Sequence, residues 1–84
     1  MTKLENLDNE ISIYPNPATD QITLSNVHIN SQISVFSLDG KKVYSIQQKD
    51  NQLLNIPLKG WYKGIYLVHI QTENGNSIKK VIVV

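Results

Sequence analysis

The 84-residue chain carries eight Lys, no Arg, seven Asp plus Glu, two His and no Cys, for a formal net charge of +1. That length fits one small domain, and a charge so near zero gives no electrostatic case for nucleic acid. Without Cys there are no disulfides, thiolate metal sites or cysteine nucleophiles, and no apolar run approaches the roughly 20 residues of a membrane-spanning helix.

The composition predicts strands. Eleven Ile, seven Val and four Thr stand against one Ala and one Met. β-branched side chains are stiff and pack well on a pleated sheet. Nine Asn and seven Ser supply turn chemistry. Hydrophobic residues make up 40% of the chain and charged residues 18%, which separates it from disordered segments.

Met1 to Glu10 hold three of the seven acids and read as a linker or a frayed arm. No segment has the charged start and short apolar middle of a signal peptide. Strand signals then recur at short spacing. Ile11-Ser12-Ile13-Tyr14 alternates until Pro15-Asn16-Pro17 stops it, because Pro cannot donate to a ladder and restricts its neighbour. This reads as a rigid corner in which Asn16 bonds neighbouring backbone. Gln21 to Ser25 alternates again, and Gln32 to Leu38 sets Ile33 and Val35 on one face and Phe36 and Leu38 on the other. Asp39-Gly40 predicts a two-residue type I′ hairpin turn. Lys41 to Gln48 returns with Val43, Tyr44 and Ile46, and Gln52 to Leu58 alternates through Leu54, Ile56 and Leu58. Gly64 to Thr72 is apolar on both faces apart from His69 and reads as a central strand. Glu73-Asn74-Gly75-Asn76 reads as a second hairpin turn, and Ser77 to Val84 as the last strand. Seven strands with no helix predict an all-β fold, a seven-stranded antiparallel Ig-like β-sandwich over residues 11–84.

Residues for catalysis are not apparent. His28 and His69 lie in different segments, each without a strong ligand nearby in sequence, and a zinc site needs three or four. Asp20, Asp39 and Asp50 fall at predicted turns, where Asp normally bonds its own backbone. Trp61, Tyr62 and Tyr66 cluster within six residues. They offer an aromatic platform for sugars, or they cover the end of the sandwich with Tyr66 in the core, as burial of large rings favours. Ile78-Lys79-Lys80-Val81-Ile82-Val83-Val84 is a strand with lysines guarding an edge, or a strand that a partner can extend.

Four blocks in order resemble a known family. Ile13-Tyr14-Pro15-Asn16-Pro17-Ala18 with Asp20, Ile22 and Leu24 resembles the opening motif of type A C-terminal sorting domains of the type IX (Por) secretion system. Ile33 to Val43, with Gly40 in its hairpin, resembles the middle motif. Ile56 and Leu58 followed by Gly64-Ile65-Tyr66-Leu67-Val68 resemble the third, in which Gly-x-Tyr is prominent, and Lys80-Val81-Ile82-Val83 resembles the closing block. Phe36-Ser37 and Trp61 depart from the usual pattern. The resemblance implies a non-catalytic secretion signal without cofactors or metal. It implies that an upstream cargo is fused to the domain and crosses the periplasm. Type IX translocon components and a sortase-like surface peptidase would be the partners, and the cargo would end at the cell surface or secreted. It also implies a sorting motif of Pro15, Asn16, Pro17, Gly40, Gly64, Tyr66, Lys79 and Lys80. Lys79 and Lys80 are the expected points of direct recognition. A terminal edge strand also allows an edge-strand dimer. The competing readings are an Ig-like spacer and a carbohydrate-binding accessory domain of a surface protein.

Overall fold

The computed structural model describes residues 11–27, 30–48, 53–73 and 75–84. The expectations for Met1 to Glu10, His28, Asp50 and Asn74 lie outside the described residues. The described residues form seven strands and no helix: β1 Ser12–Tyr14, β2 Gln21–Ser25, β3 Gln32–Ser37, β4 Lys42–Gln47, β5 Leu53–Pro57, β6 Gly64–Thr72 and β7 Gly75–Val83. They build a three-stranded sheet in the order β1-β2-β5 and a four-stranded sheet in the order β4-β3-β6-β7. Every strand pairing is antiparallel. The Ig-like sandwich that alternation predicts is the fold observed.

Alternation builds the core directly, because successive strand residues face opposite ways. Ile22, Leu24, Leu54 and Ile56 face inward from one sheet. Ile33, Val35, Tyr66, Val68, Ile70, Val81 and Val83 face them from the other. Together with Ile11, Ala18, Val27 and Leu58 they form one buried cluster. β6 lies inside its sheet between β3 and β7, as its two-faced apolar pattern predicts. His69 sits half-buried on the outer face, paired with Ser34 and Ile78.

Two turns differ from the sequence reading. Between β3 and β4 the Gly40 N–H donates to the Ser37 carbonyl at 3.0 Å, and the Ser37 N–H donates to the Lys41 carbonyl at 2.9 Å. Leu38, Asp39 and Gly40 thus make a three-residue loop with positive φ at Gly40 (90°) and not at Asp39, so this is no type I′ turn. Further along the same pair, Val35 opposes Tyr44 while Phe36 opposes Lys42. Val43 is the extra residue of a β-bulge, which lets Tyr44 and Ile46 face the core while Val43 is left exposed. In the second hairpin Gly75 and Asn76 already pair with Thr72 and Gln71, so β7 starts two residues before the expected Ser77.

Ser31, just before β3, is 1% exposed, and its hydroxyl finds no partner among the described residues. Burying an unbonded hydroxyl costs free energy that an alanine methyl does not. Ser31→Ala is therefore expected to stabilise the domain by about 1 kcal/mol, a rise in melting temperature of roughly 4–8 °C for a domain of this size. A lower melting temperature in the same scan would show that the hydroxyl is bonded after all.

Candidate functional site

The opening and closing sequence blocks meet at one place. β7 is the edge strand of its sheet, with β6 on one side. On its other side lies the Pro15-Asn16-Pro17 corner, where both X-Pro bonds, Tyr14-Pro15 and Asn16-Pro17, are cis. Asn16 does not bond its neighbouring backbone, contrary to the usual role of Asn at a turn. Its Nδ2 donates to the Lys80 carbonyl at 3.0 Å, and its Oδ1 accepts the Ile82 N–H at 3.0 Å. The side-chain amide thus presents one donor and one acceptor, as a strand residue would. Ala18 continues the line: its N–H donates to the Ile82 carbonyl at 2.8 Å, and its carbonyl accepts the Val84 N–H at 2.9 Å. Ala18 is fully buried and forms a parallel bridge with Val83.

The geometry explains why this residue is flanked by prolines. Pro lacks an N–H, so neither Pro15 nor Pro17 presents an unmatched donor beside the edge. The corner seals β7 from Lys80 to Val84. Unpaired edge groups are templates for wrong pairing, and covering them is the usual remedy. Among the described residues no strand or corner pairs with the other half of the edge. N–H and C=O groups alternate sides along a ladder, so those of Asn76 and Ile78 point the same way as those of Ile82.

The expected lysine pair is split. Lys79 shares the inner face of β7 with Val81 and Val83 and is half-buried, whereas Lys80 shares the outer face with Ile82 and is exposed. The two therefore do not form one surface. Gly64 opens β6 opposite Val83, with φ +147°, and a Cβ built there meets nothing within 4 Å. Backbone conformation, not crowding, calls for glycine at this position. Tyr66, two residues on, is 6% exposed and lies opposite Val81.

Tyr66 also orders the aromatic group. Its hydroxyl donates to the Tyr62 carbonyl at 2.7 Å. The Trp61 ring tilts against Tyr66, with centroids 5.0 Å apart, and against Tyr44 at 6.4 Å. Tilted contacts at these distances are favourable packing. Trp61 therefore covers the core, as one sequence reading expects, but Tyr62 does not: it is 86% exposed. With two of the three rings turned into the fold, no shared platform for a sugar is present.

The Gly40 hairpin stands across a cleft from Gly64. In that hairpin the Ser37 hydroxyl, first, and the Lys41 N–H donate to the Asp39 carboxylate, which holds its pKa below the ordinary value. Among the described residues no group of three or more His, Asp or Glu is placed to hold a metal ion. No helix of the described residues is long and apolar enough to cross a membrane.

Sequence reasoning missed the Asn16 bonds and the role of Ala18. The available signal was an Asn held between two prolines, with no local donor or acceptor required of it. The exposed residues of the cleft were missed as well, because loop and bulge residues leave no periodic trace.

Comparison with known proteins is consistent across three kinds of likeness. Residues 12–84 match the family described as secretion system C-terminal sorting domain. An endo-acting ulvan lyase of Formosa agariphila is 28% identical over 80 residues, which cover 93% of this chain and 15% of the lyase. The fold matches a structure of PorZ, described as an essential bacterial surface component of the type-IX secretion system of Porphyromonas gingivalis. The TM-score is 0.80 at 15% identity, covering 90% of this chain and 12% of PorZ. The chain thus spans a small part of each.

Proposed function

The chain belongs to the secretion system C-terminal sorting domains, and from that membership we propose that it is a non-catalytic signal that directs an attached upstream cargo through the type IX outer-membrane translocon. A sortase-like surface peptidase then removes the domain. The cargo passes the periplasm and ends at the cell surface or outside the cell. The match over residues 12–84 carries this reading. The fold supports it in a further way: Asn16 of the opening block and Lys80 to Val84 of the closing block form one hydrogen-bonded unit. A receptor that reads a folded shape can therefore check both ends of the domain at once.

The likeness to a lyase tail concerns the cargo's class only. Sorting domains travel with enzymes, and the activity belongs to the rest of such a protein.

The test is export. The 84-residue chain is placed behind an N-terminal export signal and a fluorescent protein, in a bacterium with a working type IX system and in a translocon mutant. Reporter outside the first strain and held in the periplasm of the second is the expected result. Reporter held in both, with the domain folded, would leave the spacer reading in front.

A further inference from the structure

The large exposed apolar side chains of the described residues are unevenly placed. Leu38, Val43, Tyr62 and Ile65, four of the eight, line a single cleft of about 440 Å³ between the β3–β4 hairpin and the start of β6. Leu38 is 65% exposed. Each is there for a local reason: Leu38 sits in the hairpin loop, Val43 is the bulge residue, and Tyr62 and Ile65 flank Gly64. None is needed to close the core, and apolar side chains gathered on a small domain mark an interaction surface.

The walls are fixed before any partner arrives. The hairpin wall is held by the Ser37 and Lys41 donors on the Asp39 carboxylate. The opposite wall is held by the Tyr66 hydroxyl on the Tyr62 carbonyl and by the Trp61 N–H on the Leu58 carbonyl at 3.0 Å. A preformed site loses little ordering entropy on binding. Lys41 and Lys63 stand at the cleft against one carboxylate, that of Asp39, which is already engaged in the turn.

Position narrows the occupant further. β2 and β5 run from the Gln21–Pro57 pair to the Ser25–Leu53 pair. The first pair is at the cleft end, since Leu58 bonds both Asp20 and Trp61. Ser12 pairs with Ser25, so the chain enters β1 at the far end. The described chain thus begins at the end away from the cleft, and the cleft shares its end of the sandwich with Gly64, Val83 and the sealed half of β7.

We propose that this cleft docks a segment of another protein that presents an apolar side chain beside a carboxylate. The apolar side chain covers Leu38, Val43, Tyr62 and Ile65, and the carboxylate meets the Lys63 and Lys41 ammoniums. The proposal rests on the sorting reading, so the partner belongs to the export machinery and not to the cargo.

The test uses the same fusion with four variants of the full chain: Leu38→Asn with Tyr62→Ser, Lys63→Glu with Lys41→Glu, and the conservative Tyr62→Phe and Lys63→Arg. All the altered side chains are solvent-accessible, and the melting temperature and Trp61 emission verify each fold. Export is expected to fall roughly tenfold or more in the first two, as when central residues of an interface are lost, and to persist in the conservative pair. Full export of the folded apolar variant overturns the site. Loss in the apolar variant with full export of the charge-reversed one overturns the acidic partner in favour of an uncharged one, such as a glycan. If the unaltered fusion stays inside, it is the sorting reading that fails, not the cleft.

Discussion

Tyr66→Ala is expected to destabilise the domain by about 3–5 kcal/mol, the range for removing a buried aromatic side chain. Three losses combine. The ring is 6% exposed and packs in the core. Its tilted contact with Trp61 goes with it, and the Tyr62 carbonyl loses its donor. A domain of this length typically holds about 4–12 kcal/mol in all, so this single change removes a large part. Tyr66→Phe keeps the ring and loses only the half-buried hydrogen bond, worth about 1 kcal/mol. Denaturant melts separate the two, and the single Trp supplies a second readout. In the Ala variant, Trp61 loses its neighbour and its emission moves to the red; in the Phe variant it stays. An Ala variant with the parent's melting midpoint would show that the end of the sandwich is not held by this ring. The prediction also bears on function: a motif tyrosine whose loss unfolds the domain abolishes export without touching any receptor.

The legible and illegible parts of this protein divide by distance along the chain. Alternation needs only residues two apart, so Ile22 and Leu24, Leu54 and Ile56, and Val81 and Val83 could be placed on inner faces from sequence. β6 could be set in the sheet interior because both its faces are apolar. The faces of Lys79 and Lys80 were legible by the same rule, since adjacent strand residues face opposite ways. The turns were harder. Asp39-Gly40 gives a hairpin signal in either loop length, and Gly40 alone adopts the positive φ. The Val43 bulge leaves no mark, since it merely shifts register by one. Least legible was Asn16, whose partners lie 64 and 66 residues away. A local pattern can show that an Asn lacks a local task, but not which edge it covers.

Trimming Val81 to Val84 is expected to unfold the domain, and this changes how export experiments on its terminus are read. Val81 and Val83 are 1% and 4% exposed. Removing two buried valines forfeits about 1.5–3 kcal/mol each. The Gly64–Val83, Ile65–Ile82 and Tyr66–Val81 pairings and the seal with Ala18 go with them. The sum approaches the whole stability of a domain this small. A truncated chain that fails to leave the cell therefore reports an unfolded signal, not a lost contact. Two milder changes keep the fold. Asn16→Ala removes two exposed side-chain bonds and is expected to cost about 1–2 kcal/mol; the bared Lys80 and Ile82 edge should then show concentration-dependent association in sedimentation. Lys79→Gln with Lys80→Gln leaves the ladder and core intact. If export falls in the lysine variant at an unchanged melting temperature, the terminal strand is read through its charge. If it falls only in the Asn16 variant, at a fold that still melts cooperatively, export depends on the shape that Asn16 maintains. A truncated chain that still melts cooperatively near the parent's midpoint would refute the packing argument, and the last four residues would then be a recognition tail.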